Sequence, residues 1–296
     1  YMTNAIHPRW RLGVVSYLNA KPLIEGLDAD SGIELFLDVP ARLPALLDFG
    51  QVDAALVPVI DLLSPNRRWR IISDACIGCD GETLTVRVFS RVPPQNVHRL
   101  YVDGDSHTSV ALARVVWPGL FGHSVETVPL LDAGSTSADF RSTNSNVGDD
   151  DREVMASRYD AIGANEGVLL IGDKVVTHAP TDLEIETDLG SCWKSLTSLP
   201  FVFAAWAVPE TLATTRDIAP LSAKLVRARD AGVAAAELIA ADFGPGHGWP
   251  VTLARRYLSS RLKFHLGPRQ RQGMNKFLEL AKEHGLVAPA QEIVFA

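Results

Sequence analysis

Three cysteines in 296 residues are too few for a disulfide scaffold, so the chain is expected to belong to a reducing compartment. No apolar run approaches the roughly 18–20 residues that a membrane-spanning helix needs. Residues 1–8 lack a basic region followed by an apolar stretch; no signal peptide is expected, and the cytoplasm is the expected location. Positive charge is not in excess: 28 Lys and Arg stand against 35 Asp and Glu, for a net charge of −7. That balance argues against nucleic acid or a membrane surface as partner, and leaves room for a small anion held by a few local donors. No Gly-x-Gly-x-x-Gly follows a strand, which disfavours a dinucleotide enzyme. Cys76 and Cys79 form a Cys-x-x-Cys, but the remaining thiol, Cys192, does not complete a zinc set and thioredoxin-like context is missing. Small residues lining a core or pocket are the expected role.

What is present is ordinary globular composition, 47% hydrophobic and 21% charged, long enough for two lobes with real cores. Strands and helices alternate. Leu12–Val15 reads as a strand that breaks into Ser16-Tyr17-Leu18-Asn19-Ala20-Lys21-Pro22-Leu23, with helical turns expected over Pro22–Leu27. Further strands are expected at Ile33–Leu37, Ala54–Val57, Thr83–Phe89, Leu100–Val102, Val168–Ile171 and Phe201–Val208, and a helix over 40–47. Asp105-Ser106-His107-Thr108-Ser109 precedes an Ala-rich apolar run and marks a helix N-terminus, whose free N–H groups favour an anion. Residues 132–158 are rich in Gly, Ser, Asn and Asp and read as a long loop with a solvated acidic run, Asp149–Asp151. From Ala219 onward the pattern is mostly helical, with a short strand near Ile293–Phe295.

Two crossings, near Val97–Val102 and Phe203–Val208, predict an α/β fold of two lobes, 1–98 with 209–296 and 99–208. This is a periplasmic-binding-protein-like (type II) arrangement with the ligand cleft between lobes. In an open α/β sheet the loop after the first strand faces the ligand crevice, so Ser16–Asn19 is expected to line it.

These segments together resemble the chorismate dehydratase family of the futalosine route to menaquinone. The opening Ser-Tyr-Leu-Asn-Ala-Lys-Pro-Leu at 16–23, Gly50-x-x-Asp53-Ala54-Ala55-Leu56-Val57-Pro58, Thr85-Val86-Arg87-Val88-Phe89-Ser90 and the 105–109 turn carry the likeness. So do Leu169-Leu170-Ile171-Gly172-Asp173 and the run from Asp188 through Trp193 to Trp206. Thr85 stands where the family has Ser, which keeps the hydroxyl and adds a methyl. The resemblance implies the two-lobed fold, no metal or nucleotide cofactor, and an anionic small substrate, chorismate. It also implies a dehydration giving 3-[(1-carboxyvinyl)oxy]benzoate. A non-catalytic small-anion sensor of the same fold, or an enzyme like 1,4-dihydroxy-6-naphthoate synthase, are the rival readings.

On that resemblance Asn19 and Thr85 are the expected catalytic residues, and Ser16, Tyr17, Ser106, Thr108 and Ser109 the expected substrate-binding ones. All are neutral hydrogen-bonding groups, which suits positioning more than acid–base chemistry. Each has a plainer rival. Asn19 could cap a helix starting at Pro22, and one of the three hydroxyls at 106–109 is expected to be a cap. Asp53 is expected to close a turn. His107 is set aside as a proton donor, and Trp193 and Trp206 are expected to pack.

Overall fold

The computed structural model describes residues 9–130, 159, 162–289 and 292–295. The acidic loop expected at 132–158 lies outside these residues.

Apolar runs build two sheets. In the larger one β1 (Trp10–Val15) pairs in parallel with β2 (Ile33–Asp38) on one side and β3 (Ala54–Pro58) on the other. Strand β10 (Phe201–Pro209) lies antiparallel between β3 and β4 (Trp69–Cys79), while β11 (Leu262–His265) and β12 (Val294–Phe295) add to β4. The order is β11-β4-β10-β3-β1-β2. Every residue of β3 is buried, as expected of a strand covered on both faces. The chain passes from β1 to β2 and then back across β1 to β3. The crevice of the topological switch point therefore opens beyond Val15 and Pro58.

The second sheet has the order β7-β6-β8-β5-β9: Glu126–Pro129, Arg99–Val102, Glu166–Ile171, Val86–Ser90 and Ile185–Asp188. Its strand memberships correct the expected lobe boundaries. Residues 86–90 pair with β8 and β9, so the outward passage lies at 80–85 rather than at 98. Phe201–Pro209 belongs wholly to the larger sheet, so the return lies before 201 rather than at 208.

Asp188 ties the two passages together. Its carboxylate accepts from the N–H groups of Thr83 (3.0 Å) and Leu84 (2.8 Å) and from that of Ser191 (3.0 Å) at the start of the helix Leu189–Thr197. Leu84 takes φ +71°, a strained value for a branched side chain, and these bonds hold it there. A Cβ on Gly190 would lie 2.9 Å from Cys79 Sγ and 3.1 Å from Thr83 N, so the helix start needs glycine to reach the outward passage.

Cys76 and Cys79 are buried in β4, with thiols pushed upward by burial, Cys76 to about 12. They are core residues. Trp193 and Trp206 are fully buried too, and Trp193 packs edge-on against Phe201 and Phe277. Among the described residues no helix is long and apolar enough to cross a membrane, and no group of three or more His, Cys, Asp or Glu could hold a metal.

Candidate functional site

The segment after β1 does not start an α-helix at Pro22. It forms a 3-10 turn over Leu18–Leu23, with Tyr17 at its N-cap and no side-chain capping bond. Asn19 therefore sits inside the turn and is not its cap. Ser16 donates its N–H to the Asp38 carbonyl (2.9 Å), continuing the β1–β2 ladder to the lip of the crevice.

Asn19 and Thr85 come together on a third residue, Tyr257. The Thr85 hydroxyl and the Tyr257 hydroxyl lie 2.7 Å apart, and the Asn19 side chain lies close to the same phenol. Thr85 is 2% exposed and Tyr257 1%. Burial holds the phenol well above its usual range, against the opposing pull of the Thr85 bond, so it stays protonated and can donate. Asn19 Oδ1 is buried with no hydrogen-bond partner among the described residues. A buried amide acceptor left open costs about 1–3 kcal/mol, which a ligand donor would recover. Tyr257 begins a π-helical turn, Tyr257–Arg261, a local widening often found where function requires a displaced side chain. In the sequence Tyr257-Leu258 looks like helix packing. The π turn that displaces the phenol leaves no local pattern.

The second group lies where the lobes meet. Tyr17 donates its hydroxyl to Asp105 Oδ2 (2.8 Å), and its ring lies against Gly172, where a Cβ would come within 2.6 Å of it. Burial, with the nearby Asp105 and Asp103 charges, holds the Tyr17 phenol protonated. Lys174 bonds Asp103 (2.9 Å) and Asp105. Burial alone would lower its ammonium, and the two carboxylates outweigh burial, so it remains a cation. Burial also raises Asp103, and Lys174 opposes this.

The helix His107–Phe121 begins at the same seam. Ser106 caps it, accepting from the Ser109 N–H (3.2 Å), and the Ser106 and Ser109 hydroxyls bond each other (2.9 Å). Thr108 Oγ1 accepts from the Ile60 N–H at 3.4 Å, and His107 Nδ1 sits 2.7 Å from Asp61. Of the expected substrate-binding set, then, Tyr17, Ser106, Thr108 and Ser109 all hold protein partners across or along the seam. Asp53 pairs with Arg11 and receives the Arg11 N–H, a structural role. A groove of about 610 Å³ lined by Arg229, Val233, Lys263 and His265 flanks β11 and shares no residue with either group.

A family profile described as menaquinone biosynthesis matches residues 10–143 and 145–283. A protein named chorismate dehydratase from Thermus thermophilus is 28% identical over 212 residues, spanning 66% of this chain and 68% of its own. Two solved structures share the fold. A structural-genomics protein of Archaeoglobus fulgidus has a TM-score of 0.65 at 15% identity, over 94% of this chain and 98% of its own. The periplasmic aliphatic sulphonate binding protein of Escherichia coli has 0.60 at 12% identity, over 97% and 95%. The two-lobed binding-protein fold read from the sequence is thus the fold observed.

Proposed function

The chain belongs to the menaquinone-biosynthesis family, and from that premise we propose that it is a chorismate dehydratase, a hydro-lyase forming 3-[(1-carboxyvinyl)oxy]benzoate and water. The observation that carries the reading is the cluster of Asn19, Tyr257 and Thr85, neutral donors and acceptors around one open amide oxygen.

Chorismate has two carboxylates and a 4-hydroxyl on a cyclohexadiene. Loss of the C4 hydroxyl and the C3 proton makes the ring aromatic, which drives the reaction. The protein need only orient the substrate and stabilise the departing oxygen. A hydrogen-bonding cluster with its phenol held protonated is suited to that task and unsuited to taking a proton. The seam carboxylates near it are already occupied: Asp105 by Tyr17 and Lys174, and Asp173 by donors from the opposite lobe. The substrate's own enolpyruvyl carboxylate is therefore the proton acceptor in this reading. Asn19 receives the 4-hydroxyl, and Thr85, shared with Tyr257, meets a carboxylate. Ser16 and the helix start at 106–109 complete the binding set around the other carboxylate. No cofactor enters, and the cytoplasm is the matching location.

Incubation with chorismate tests this directly. Appearance of a benzoate absorbance with loss of chorismate is the expected result, and Asn19→Ala is expected to bind chorismate yet turn over at least about 100-fold more slowly, as when a positioned transition-state group is lost. Binding without product would make the chain a sensor. Turnover of a futalosine-derived cyclic substrate instead would make it a naphthoate synthase relative.

A further inference from the structure

Asp173 gathers three donors from two segments of the opposite lobe. Its Oδ1 and Oδ2 each lie 3.3 Å from the backbone N–H of Leu18; Oδ2 lies 2.7 Å from His247 Nδ1; Oδ1 accepts from Trp249 Nε1 at 2.9 Å. Leu18 is the residue before Asn19. Trp249 stacks on Tyr257, with ring centroids 4.8 Å apart and planes 19° from parallel. One carboxylate carried by the smaller sheet thus holds both arms of the larger lobe that bring Asn19 and Tyr257 together.

Its neighbours press on the same turn. Gly172, at φ +64°, lies under the Tyr17 ring, and Lys174 bonds the Asp105 that takes the Tyr17 hydroxyl. Three successive residues, 172–174, therefore engage Tyr17 and Leu18 by packing, by direct hydrogen bond and through Asp105. Gly172 N–H also donates to the Thr85 carbonyl (2.9 Å), so the same corner fixes the third member of the cluster.

We propose that Asp173 is the positioning residue of the site: by binding the Leu18 N–H and the Trp249 indole together, it sets the placement of Asn19 against Tyr257, and the site is assembled only when the lobes meet. This rests on the reading of the Asn19–Tyr257–Thr85 cluster as the reacting site. A carboxylate is needed because its partners donate; it offers acceptors on both oxygens, whereas an amide of the same shape turns a donor toward one of them. Positioning of this kind acts on the transition state more than on ground-state binding, so it is read in kcat and not in KM.

The test is Asp173→Asn in the full chain, with two readouts. Hydrogen exchange at residues 16–24, measured without substrate, is expected to speed up at least tenfold while exchange in β1 is unchanged. With chorismate, kcat is expected to fall at least tenfold while KM changes less than threefold. Unchanged exchange at 16–24, or kcat within twofold of the parent, overturns the proposal. If the variant does not fold, Trp249→Phe removes one donor and keeps the stacked ring. A threefold or greater loss of kcat at constant KM then supports the link, and an unchanged kcat overturns it. The exchange readout also separates two failures. A parent protein inactive on chorismate whose turn still loosens in D173N refutes the dehydratase reading alone. An active parent with an indifferent D173N refutes the positioning role of Asp173 alone.

Discussion

Gly232 lies in the helix Ala219–Ala234, where it is buried against the 3-10 turn that carries Asn19. A Cβ built there would lie 2.6 Å from the carbonyl carbon and from the Cα of Pro22, and closer still to the Pro22 oxygen. Ordinary carbon contacts begin near 3.5 Å, so helix and turn must separate by about 1 Å in Gly232→Ala. Two stability effects oppose each other. Alanine is the better helix former by about 1 kcal/mol. Overpacking a filled interface costs about 1–3 kcal/mol, and here the obstacle is backbone, which cannot rotate away. The net is a loss of about 0–2 kcal/mol, a fall in Tm of a few degrees for a chain of this size. The effect on turnover is larger, because Asn19 lies three residues from the displaced proline. A shift of about 1 Å in a positioning group can lower a rate about 100-fold. Thermal unfolding and steady-state kinetics on chorismate, with Gly246→Ala as a control at a glycine whose Cβ would meet nothing, provide the assay. A G232A protein with parental Tm and parental kcat would refute the account of how the turn is held.

Tyr257→Phe strips Thr85 of its partner and leaves a buried hydroxyl open, so a stability loss of about 1–3 kcal/mol is expected in denaturant unfolding, with kcat reduced more than KM is raised. Ser106→Ala removes the cap of the helix His107–Phe121 and is expected to cost about 1 kcal/mol. A tenfold rise in KM at unchanged stability would instead show that hydroxyl to be a ligand for substrate. The Cys76 and Cys192 thiols, both pushed up to about 12 by burial, are expected to resist thiol reagents at pH 8 in the folded chain and to react once it is unfolded. Because the folded values exceed the ordinary 9.0, this contribution to stability is complete below pH 9 and is lost as pH rises toward 12, which unfolding midpoints at pH 8 and 10 would register.

Much of the fold is legible in the chain because its strands are continuous apolar runs closed by strong punctuation. Leu12–Val15 ends at Ser16, Ala54–Val57 ends at Pro58, and the helix after Ser106 opens on hydroxyl-bearing residues. Trp69–Cys79, the strand that pairs with β10, β11 and β12, is hard to see. Arg70, Ser73, Asp74 and Gly78 interrupt its apolar pattern, and Arg229 from a distant helix pairs with Asp74. The lobe boundary at 80–85 is equally hidden, since 86–90 reads as a strand whichever sheet it joins. For the site, Asn19 and Thr85 were found through motif resemblance, whereas Tyr257 and Asp173 act through contacts with residues 172 and 155 positions away. Such contacts leave no periodicity, no spacing and no cap.

The distribution of charge accounts for how a net-negative chain would take the proposed dianion. Three carboxylates, Asp103, Asp105 and Asp173, stand near the crevice and would repel such a ligand if left bare. Asp103 and Asp105 share the Lys174 ammonium, Asp105 also takes the Tyr17 hydroxyl, and Asp173 is engaged by an indole, an imidazole and a backbone amide. These contacts draw the negative potential into the seam between lobes, where it binds one lobe to the other. The cluster of Asn19, Thr85 and Tyr257 is left uncharged, with its phenol held protonated by burial. Charged groups close the seam, and in the proposed reading the neutral ones are left to meet the ligand. Replacing Lys174 with Met would separate these roles: two acids would lose their cation, and anion affinity would fall together with stability. A K174M protein that keeps the parental Kd for 3-[(1-carboxyvinyl)oxy]benzoate and the parental Tm would show that this neutralisation matters to neither.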